Sequence, residues 1–254
     1  MADCSTTGIM LRRTAYGDYD LIITFLTAEY GKTVVMAKSA RKSVRRFNGF
    51  LEPLSTYRIE YKTGRGKLPF LLGAELKHPF PAIRSHIQKA AYANYWAEVI
   101  NEWLEEGHIQ NELFSLFSEV LNSLNESRLS PEMLSIFFQI KMMVLAGIAP
   151  DLTHCRICGK QIISRLHEQS AADVKNGGLL CRVCSENLPC RAISGDTAAS
   201  LIRISKGNIN NAGNISLPIQ NLREGLWFSE AFVCCHLVKY PKSLSFLRQI
   251  RGFE

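Results

Sequence analysis

No stretch of eighteen or more consecutive apolar residues occurs, which excludes an ordinary membrane-spanning helix. The opening Met1-Ala2-Asp3-Cys4-Ser5-Thr6-Thr7 lacks the basic start and apolar core of a secretory signal, so a cytoplasmic protein is expected. Also missing are HExxH, GxSxG and the GxxxxGK phosphate loop closed by Ser or Thr, which removes the commonest zinc-protease, serine-hydrolase and nucleotide-hydrolysis signatures. There is no internal repeat and no low-complexity tract, so a solenoid or a disordered linker does not organise the chain.

What is present suffices for a folded protein of two or three domains: 254 residues, 46% of them hydrophobic and 21% charged. The net charge of +7 is unevenly spread. Residues 1–79 carry 13 Lys and Arg against 7 acids, residues 80–150 carry 4 against 8, and residues 151–254 carry 13 against 8. Contact with a polyanion is therefore expected in the first segment before the third. The densest basic stretch, Lys38–Phe50, holds Lys38, Arg41, Lys42, Arg45 and Arg46, with Phe47 and Phe50 behind them. Cations beside aromatic rings suit a nucleic acid, since phosphates attract Lys and Arg while unstacked bases take a flat apolar face. A solvated loop is the alternative for any charge run.

Residues 5–78 read as five short strands: Gly8–Thr14, Asp20–Thr27, Lys32–Ser39, Leu54–Lys62 and Leu68–Leu76. Turns fall at Glu29–Lys32 and Thr63–Lys67. That count in so short a span suggests a small barrel of the OB or SH3-like kind. Tyr57, Tyr61 and Phe70 are either core residues, as strand aromatics more often are, or stacking platforms. Beyond His78-Pro79-Phe80-Pro81 the period becomes helical. One helix is expected over Ala82–Glu106, a second over Asn111–Leu124 and a third from Ser130-Pro131 to about Gly147. Further helices are expected from Ser194 or Asp196 to Lys206, from Pro218 through Val238, and beyond Pro241. Asn208–Ser216 reads as a polar loop.

Cys155-Arg156-Ile157-Cys158 and Cys181-Arg182-Val183-Cys184 form two CxxC pairs 22 residues apart. Each pair aims two sulfurs at one point, and two pairs complete a tetrahedral four-thiolate site, for which zinc is the expected ion. Four thiolates leave no position for water, so the site is expected to be structural and to hold together residues 151–192, which have too few apolar residues to fold alone. Cys190 reads as a bystander thiol, and His154 and His167 are the reserve ligands. The resulting plan is a multidomain α+β chain. Residues 1–79 form a barrel, residues 80–150 with 193–254 a helical domain, and residues 151–192 a zinc-finger insertion in it.

This order of parts resembles RecO, the bacterial recombination-mediator family. Three stretches carry the resemblance. Tyr16-Gly17-Asp18-Tyr19-Asp20 with Leu21–Thr27 and Glu29-Tyr30-Gly31-Lys32 is similar to the family's opening strands. Ala37-Lys38-Ser39-Ala40-Arg41-Lys42, then Leu51-Glu52-Pro53-Leu54-Ser55, resembles its AKGARR and LxPxS segments. Lys242-Ser243 within Leu237–Leu247 resembles its closing pattern. Two departures stand out: Ser39 replaces the usual Gly, and the cysteine pairs are spaced more widely than is usual.

The resemblance implies an OB-fold barrel and a non-enzymatic function. Such proteins bind single- and double-stranded DNA, anneal complementary strands, contact the C-terminal tail of single-stranded DNA-binding protein, and act with RecR to help load RecA, near the nucleoid. Phosphate contacts are assigned to Lys38, Arg41, Lys42, Arg45 and Arg46, with Arg12, Arg13, Arg65 and Lys67 in a second tier. Two other classes are weighed. One is a zinc hydrolase or nuclease, for which Asp18 and Asp20 would offer a divalent-ion pair. The other is a zinc-containing interaction adaptor without direct DNA contact.

Overall fold

The first strand is twice as long as its apolar pattern suggests, because it serves two partners. β1 (Asp3–Tyr16) pairs antiparallel with β4 (Thr56–Lys62) through its first half and with β2 (Asp20–Thr27) through its second. A bulge between Met10 and Arg12 bends it where it changes partner, and there the Met10 backbone exchanges hydrogen bonds with Ser55 (3.0 Å) and Leu54 (2.8 Å). β3 (Gly31–Ala37) follows β2 antiparallel, and β5 (Phe70–His78) runs beside β4 and touches β3 in parallel at Met36–Phe70. The ring closes in the order β1-β2-β3-β5-β4, the OB-type barrel that the sequence implies.

Residues 3–42, 47, 51–64, 68–162, 170–213 and 215–252 are described in the computed structural model of the chain. Arg45, Arg46, Phe50, Arg65, Lys67 and His167 lie outside them. After the barrel come α1 (Pro81–Ser85), α2 (Ile87–Trp103), α3 (Asn111–Asn125) and α4 (Pro131–Leu145). Then follow β6 (Asp151–Cys155), β7 (Ser170–Asp173), β8 (Gly178–Leu180), α5 (Arg182–Ser185) and β9 (Arg191–Ile193). The last elements are α6 (Gly195–Lys206), α7 (Ile209–Gly213), α8 (Ile219–His236) and α9 (Lys242–Arg251). They gather into two compact units, Met1–Asn125 with Pro241–Gly252 and, chiefly, Glu126–Tyr240.

In the first unit, period-two alternation sends Ile23, Phe25, Val35, Ile59 and Leu71 into the barrel core. Tyr57 and Tyr61 join them, and the Tyr57 hydroxyl is tied to the Glu52 backbone, accepting from its N–H at 2.7 Å. Phe47 is also in this core, so it is no platform for a base: a residue on a connection can plug the barrel where no strand residue reaches. The helix expected over Ala82–Glu106 is two helices, because His86 is extended (φ −121°, ψ 114°). Ile87 thereby becomes the first residue of α2 and is 66% exposed instead of buried. Tyr92, Tyr95, Trp96, Val99 and Ile100 supply the buried face of α2. The closing helix α9 returns to α2, where the Glu98 carboxylate accepts the N–H groups of Lys242 (3.0 Å) and Ser243 (2.8 Å) and the Ser243 hydroxyl. A carboxylate supplied from a neighbouring helix thus caps its start.

The β2–β3 turn is locked to the end of α2 and the segment after it. Lys32 donates to Asn101 O at 2.8 Å, and Gly107 donates to Lys32 O at 2.9 Å. Gly31 has φ +65°, and a Cβ there would overlap the His108 carbonyl. Gly31→Ala therefore faces both a left-handed backbone and a main-chain collision. Its expected cost is about 1–3 kcal/mol, read as a lower urea midpoint at unchanged slope.

In the second unit, α6, α7 and α8 pack against α4. The Met and Phe face of α4 is core: Phe137, Phe138, Met142 and Met143 are buried. Ser130 caps α4 through the Met133 N–H (3.2 Å), with Pro131 in the first turn, as its sequence predicts. Two expectations fail. Asn208–Ser216 contains α7, held by buried Ile209 and Ala212. Val238 lies past the end of α8 and is 94% exposed. Ser194 caps α6, and Glu224 on α8 accepts from the Ser194 N–H (2.9 Å), the Ser194 hydroxyl (2.8 Å) and the Thr197 hydroxyl (2.7 Å). Burial alone would raise the Glu224 carboxyl, but these donors outweigh it and hold the pKa below the usual carboxylate value.

Candidate nucleic-acid interface and metal centre

Strand pairing assembles the basic rim. β2 is antiparallel to both neighbours, so the β1–β2 turn and the end of β3 emerge together, with Tyr16 opposite Asp20 and Leu21 opposite Ala37. The parallel contact at Met36 brings Phe70, the first residue of β5, to the same end. Lys38, Arg41 and Lys42 follow β3 and are exposed. Lys38 Nζ lies 4.7 Å from the centre of the Phe70 ring, and Lys42 Nζ lies 3.4 Å from that of Tyr19. The Arg41 guanidinium donates to Asp18 O and its backbone N–H to Tyr19 O, both at 3.0 Å. None of these three cations forms an ion pair among the described residues.

Ser39 has φ +54°, the left-handed conformation that a glycine takes without strain. Its N–H donates to the Asp20 carboxylate at 2.7 Å, which helps hold the bend that the serine itself disfavours. That bond also commits Asp20, while Asp18 sits in the β1–β2 turn and lends its backbone oxygen to Arg41.

The second tier is less uniform. Arg12 is exposed on β1. Arg13 bonds Leu51 O at 2.6 Å and pairs with Glu52 at 3.2 Å, so part of its charge is already used. Phe70 is half-buried beneath Lys38, unlike Tyr57 and Tyr61. Reading by residue type overlooked Tyr16 and Tyr19, which are 53% and 45% exposed at the same rim. The available signal was two aromatics bracketing a Gly-Asp turn one strand away from the cations.

The cysteine cluster is built by a small sheet of order β6-β8-β7-β9. β6 and β8 are parallel, so the Cys155 that ends β6 and the Cys181 that follows β8 reach the same edge. Gly178 permits their close approach, since a Cβ there would overlap the Asp151 carbonyl. At the first knuckle Gly159 (φ +71°) donates to Cys155 O at 2.9 Å; at the second, α5 carries Cys184 back beneath Cys181. The sulfurs of Cys155, Cys158, Cys181 and Cys184 all lie within 4.8 Å of one another. The Cys158–Cys181 separation is 3.8 Å. A tetrahedron with metal–sulfur bonds of about 2.3 Å has edges of about 3.8 Å, so the four residues fit one ion.

Cys190 packs beside the cluster but supplies no atom to it, and His154 Nδ1 lies 2.8 Å from the Thr153 hydroxyl. Burial pushes the Cys155 thiol up, yet backbone N–H groups of Cys158, Cys181 and Ile157 outweigh that and bring it down to about 6. Hydrogen bonds to Cys181 and Cys158 push Cys184 up to about 12. A proton retained on Cys184 in this way is one that a bound cation would displace.

Residues 1–80 match the family model described as Recombination protein O N terminal, and residues 84–245 match Recombination protein O C terminal. The chain is 36% identical over 254 residues to the "DNA repair protein RecO" of Desulfatibacillum aliphaticivorans, covering 99% of this chain and 98% of the relative. It is 36% identical over 259 residues to that of Desulfosudis oleivorans, with 99% of each covered. The Geobacter metallireducens protein of the same name is 30% identical over 252 residues, covering 98% of this chain and 99% of its own length.

Proposed function

Since the chain belongs to the RecO family of DNA repair proteins, we propose that it is a non-enzymatic recombination mediator. It binds single- and double-stranded DNA, anneals complementary strands, and helps load RecA onto DNA coated with single-stranded DNA-binding protein, acting with RecR and the acidic tail of that coat protein. The observation that carries the reading is the barrel rim, where Lys38, Arg41 and Lys42 stand exposed beside aromatic rings. Annealing brings two polyanions together, and a cationic surface lowers their repulsion. Lys38, Arg41, Lys42, Arg45 and Arg46 contact phosphates directly, and Arg12, Arg13, Arg65 and Lys67 extend the track. The barrel is the DNA-binding domain, and residues 151–192 are a finger inserted in the helical domain.

Zinc is the ion we assign to Cys155, Cys158, Cys181 and Cys184, because four soft thiolates at tetrahedral spacing select it. Its contribution is structural: it would neutralise the thiolates and join two knuckles, leaving no position for a reacting water. The test of function is annealing of two complementary labelled oligonucleotides across a salt series. With about five phosphates neutralised on a single strand, log affinity is expected to fall against log salt with a slope of roughly −3 to −4. A slope near zero, with annealing no faster than the spontaneous rate, would refute the proposal.

A further inference from the structure

The β1–β2 turn is pinned beside the basic rim by four contacts. Arg41 reaches Asp18 O through its guanidinium and Tyr19 O through its N–H. Ser39 N–H reaches the Asp20 carboxylate, and the Lys42 ammonium lies over the Tyr19 ring. The turn is therefore held in place before any ligand arrives, unlike a free hairpin tip. Tyr19 has Lys42 against its ring, yet 45% of the residue stays open, and Tyr16, across the same turn, is 53% open. Both rings therefore offer an apolar face and a polar hydroxyl to a planar partner. The exposed Asp18 lies between them in the turn, while Arg41 on its backbone oxygen and Lys42 over the Tyr19 ring supply positive charge that attracts phosphate alongside the open rings.

From this arrangement we infer that Tyr16 and Tyr19 form a base-stacking platform for unpaired DNA, with the backbone of the same strand running over Lys38, Arg41 and Lys42. The inference rests on the DNA-binding reading above and adds to it a preference for strands whose bases are free. A base offers an uncharged π-face to a tyrosine ring whatever its sequence, so the platform is sequence-tolerant. A duplex hides those faces and can use only the cations. The platform thus favours single strands, while the cations hold either form.

The test compares the full-length protein with a Tyr16→Leu/Tyr19→Leu variant and with Tyr16→Phe/Tyr19→Phe. Each is titrated with a fifteen-nucleotide thymidine strand, an abasic strand of the same length, and a duplex. Stacking predicts that the Leu variant binds the thymidine strand about tenfold more weakly or worse, at an unchanged salt slope. The abasic strand and the duplex should bind as before, and the Phe variant should match the parent on all three. Equal losses on all three ligands would reduce the tyrosines to supports for the cations and overturn the platform. So would unchanged binding of the thymidine strand. If the unmodified protein binds none of the ligands at low salt, the DNA reading itself fails, which is a different result.

Discussion

Replacing Lys38, Arg41, Lys42, Arg45 and Arg46 together by Ala is expected to remove strand annealing and to weaken single-strand binding by about two to four orders of magnitude at ~50 mM salt. The size follows from counterion release: each neutralised phosphate of a single strand contributes about 0.7 to the salt slope, so five lost contacts flatten it almost completely. Stability should change little, because Lys38, Arg41 and Lys42 are exposed and form no ion pair among the described residues. The losses should be graded. Arg41→Ala alone also removes one of the four contacts that pin the β1–β2 turn, the bond to Asp18 O, so it should cost more than Lys38→Ala. Arg13→Ala should cost less, since Arg13 is already paired with Glu52. Fluorescence anisotropy over a salt series separates these outcomes. A quintuple variant that keeps the parent's affinity and slope would leave only the adaptor reading.

Removing the metal is expected to have the second large effect. The cluster's apolar core is small, Cys155, Ala171 and Leu180 with partly buried neighbours, so burial alone cannot hold the finger. Structural zinc contributes on the order of 10–16 kcal/mol to small sites of this type near neutral pH. Strong chelation or Cys155→Ser should therefore make residues 151–192 the first target of limited proteolysis. The barrel has a separate core of Met10, Phe25, Tyr57 and others, and single-strand affinity should change by less than about twofold. Protons compete with the cation for the four sulfurs, so metal release should rise as pH falls. The check is a zinc-release titration with peptide mapping. A protein isolated without stoichiometric metal, whose proteolysis pattern ignores chelator, would overturn the assignment.

Where chemistry is carried by local spacing, the site was legible without coordinates. A CxxC turn converges two sulfurs by itself, and Gly159, directly after the first pair, does take the positive φ that such a turn requires. Ser130 and Ser194 announce their helices because a cap needs only the next three residues. The basic loop was equally plain as a run of charge. What that loop faces was not, because its neighbours come from other strands. Tyr19 and Phe70 reach it only through the pairing of β2 with β1 and β3 and the single parallel contact at Met36. Phe47, next to the cations in sequence, went the other way into the core.

Residue order alone determined the succession of parts, the four cysteines that cluster, the capped helix starts and the place of the positive charge, all of which depend on side-chain type and near-neighbour spacing. The tertiary structure decided which aromatics stay open, where the long first strand changes partner, and that Glu98 caps a helix some 144 residues away. Those outcomes depend on barrel closure and helix packing, which bring together groups that no local pattern relates.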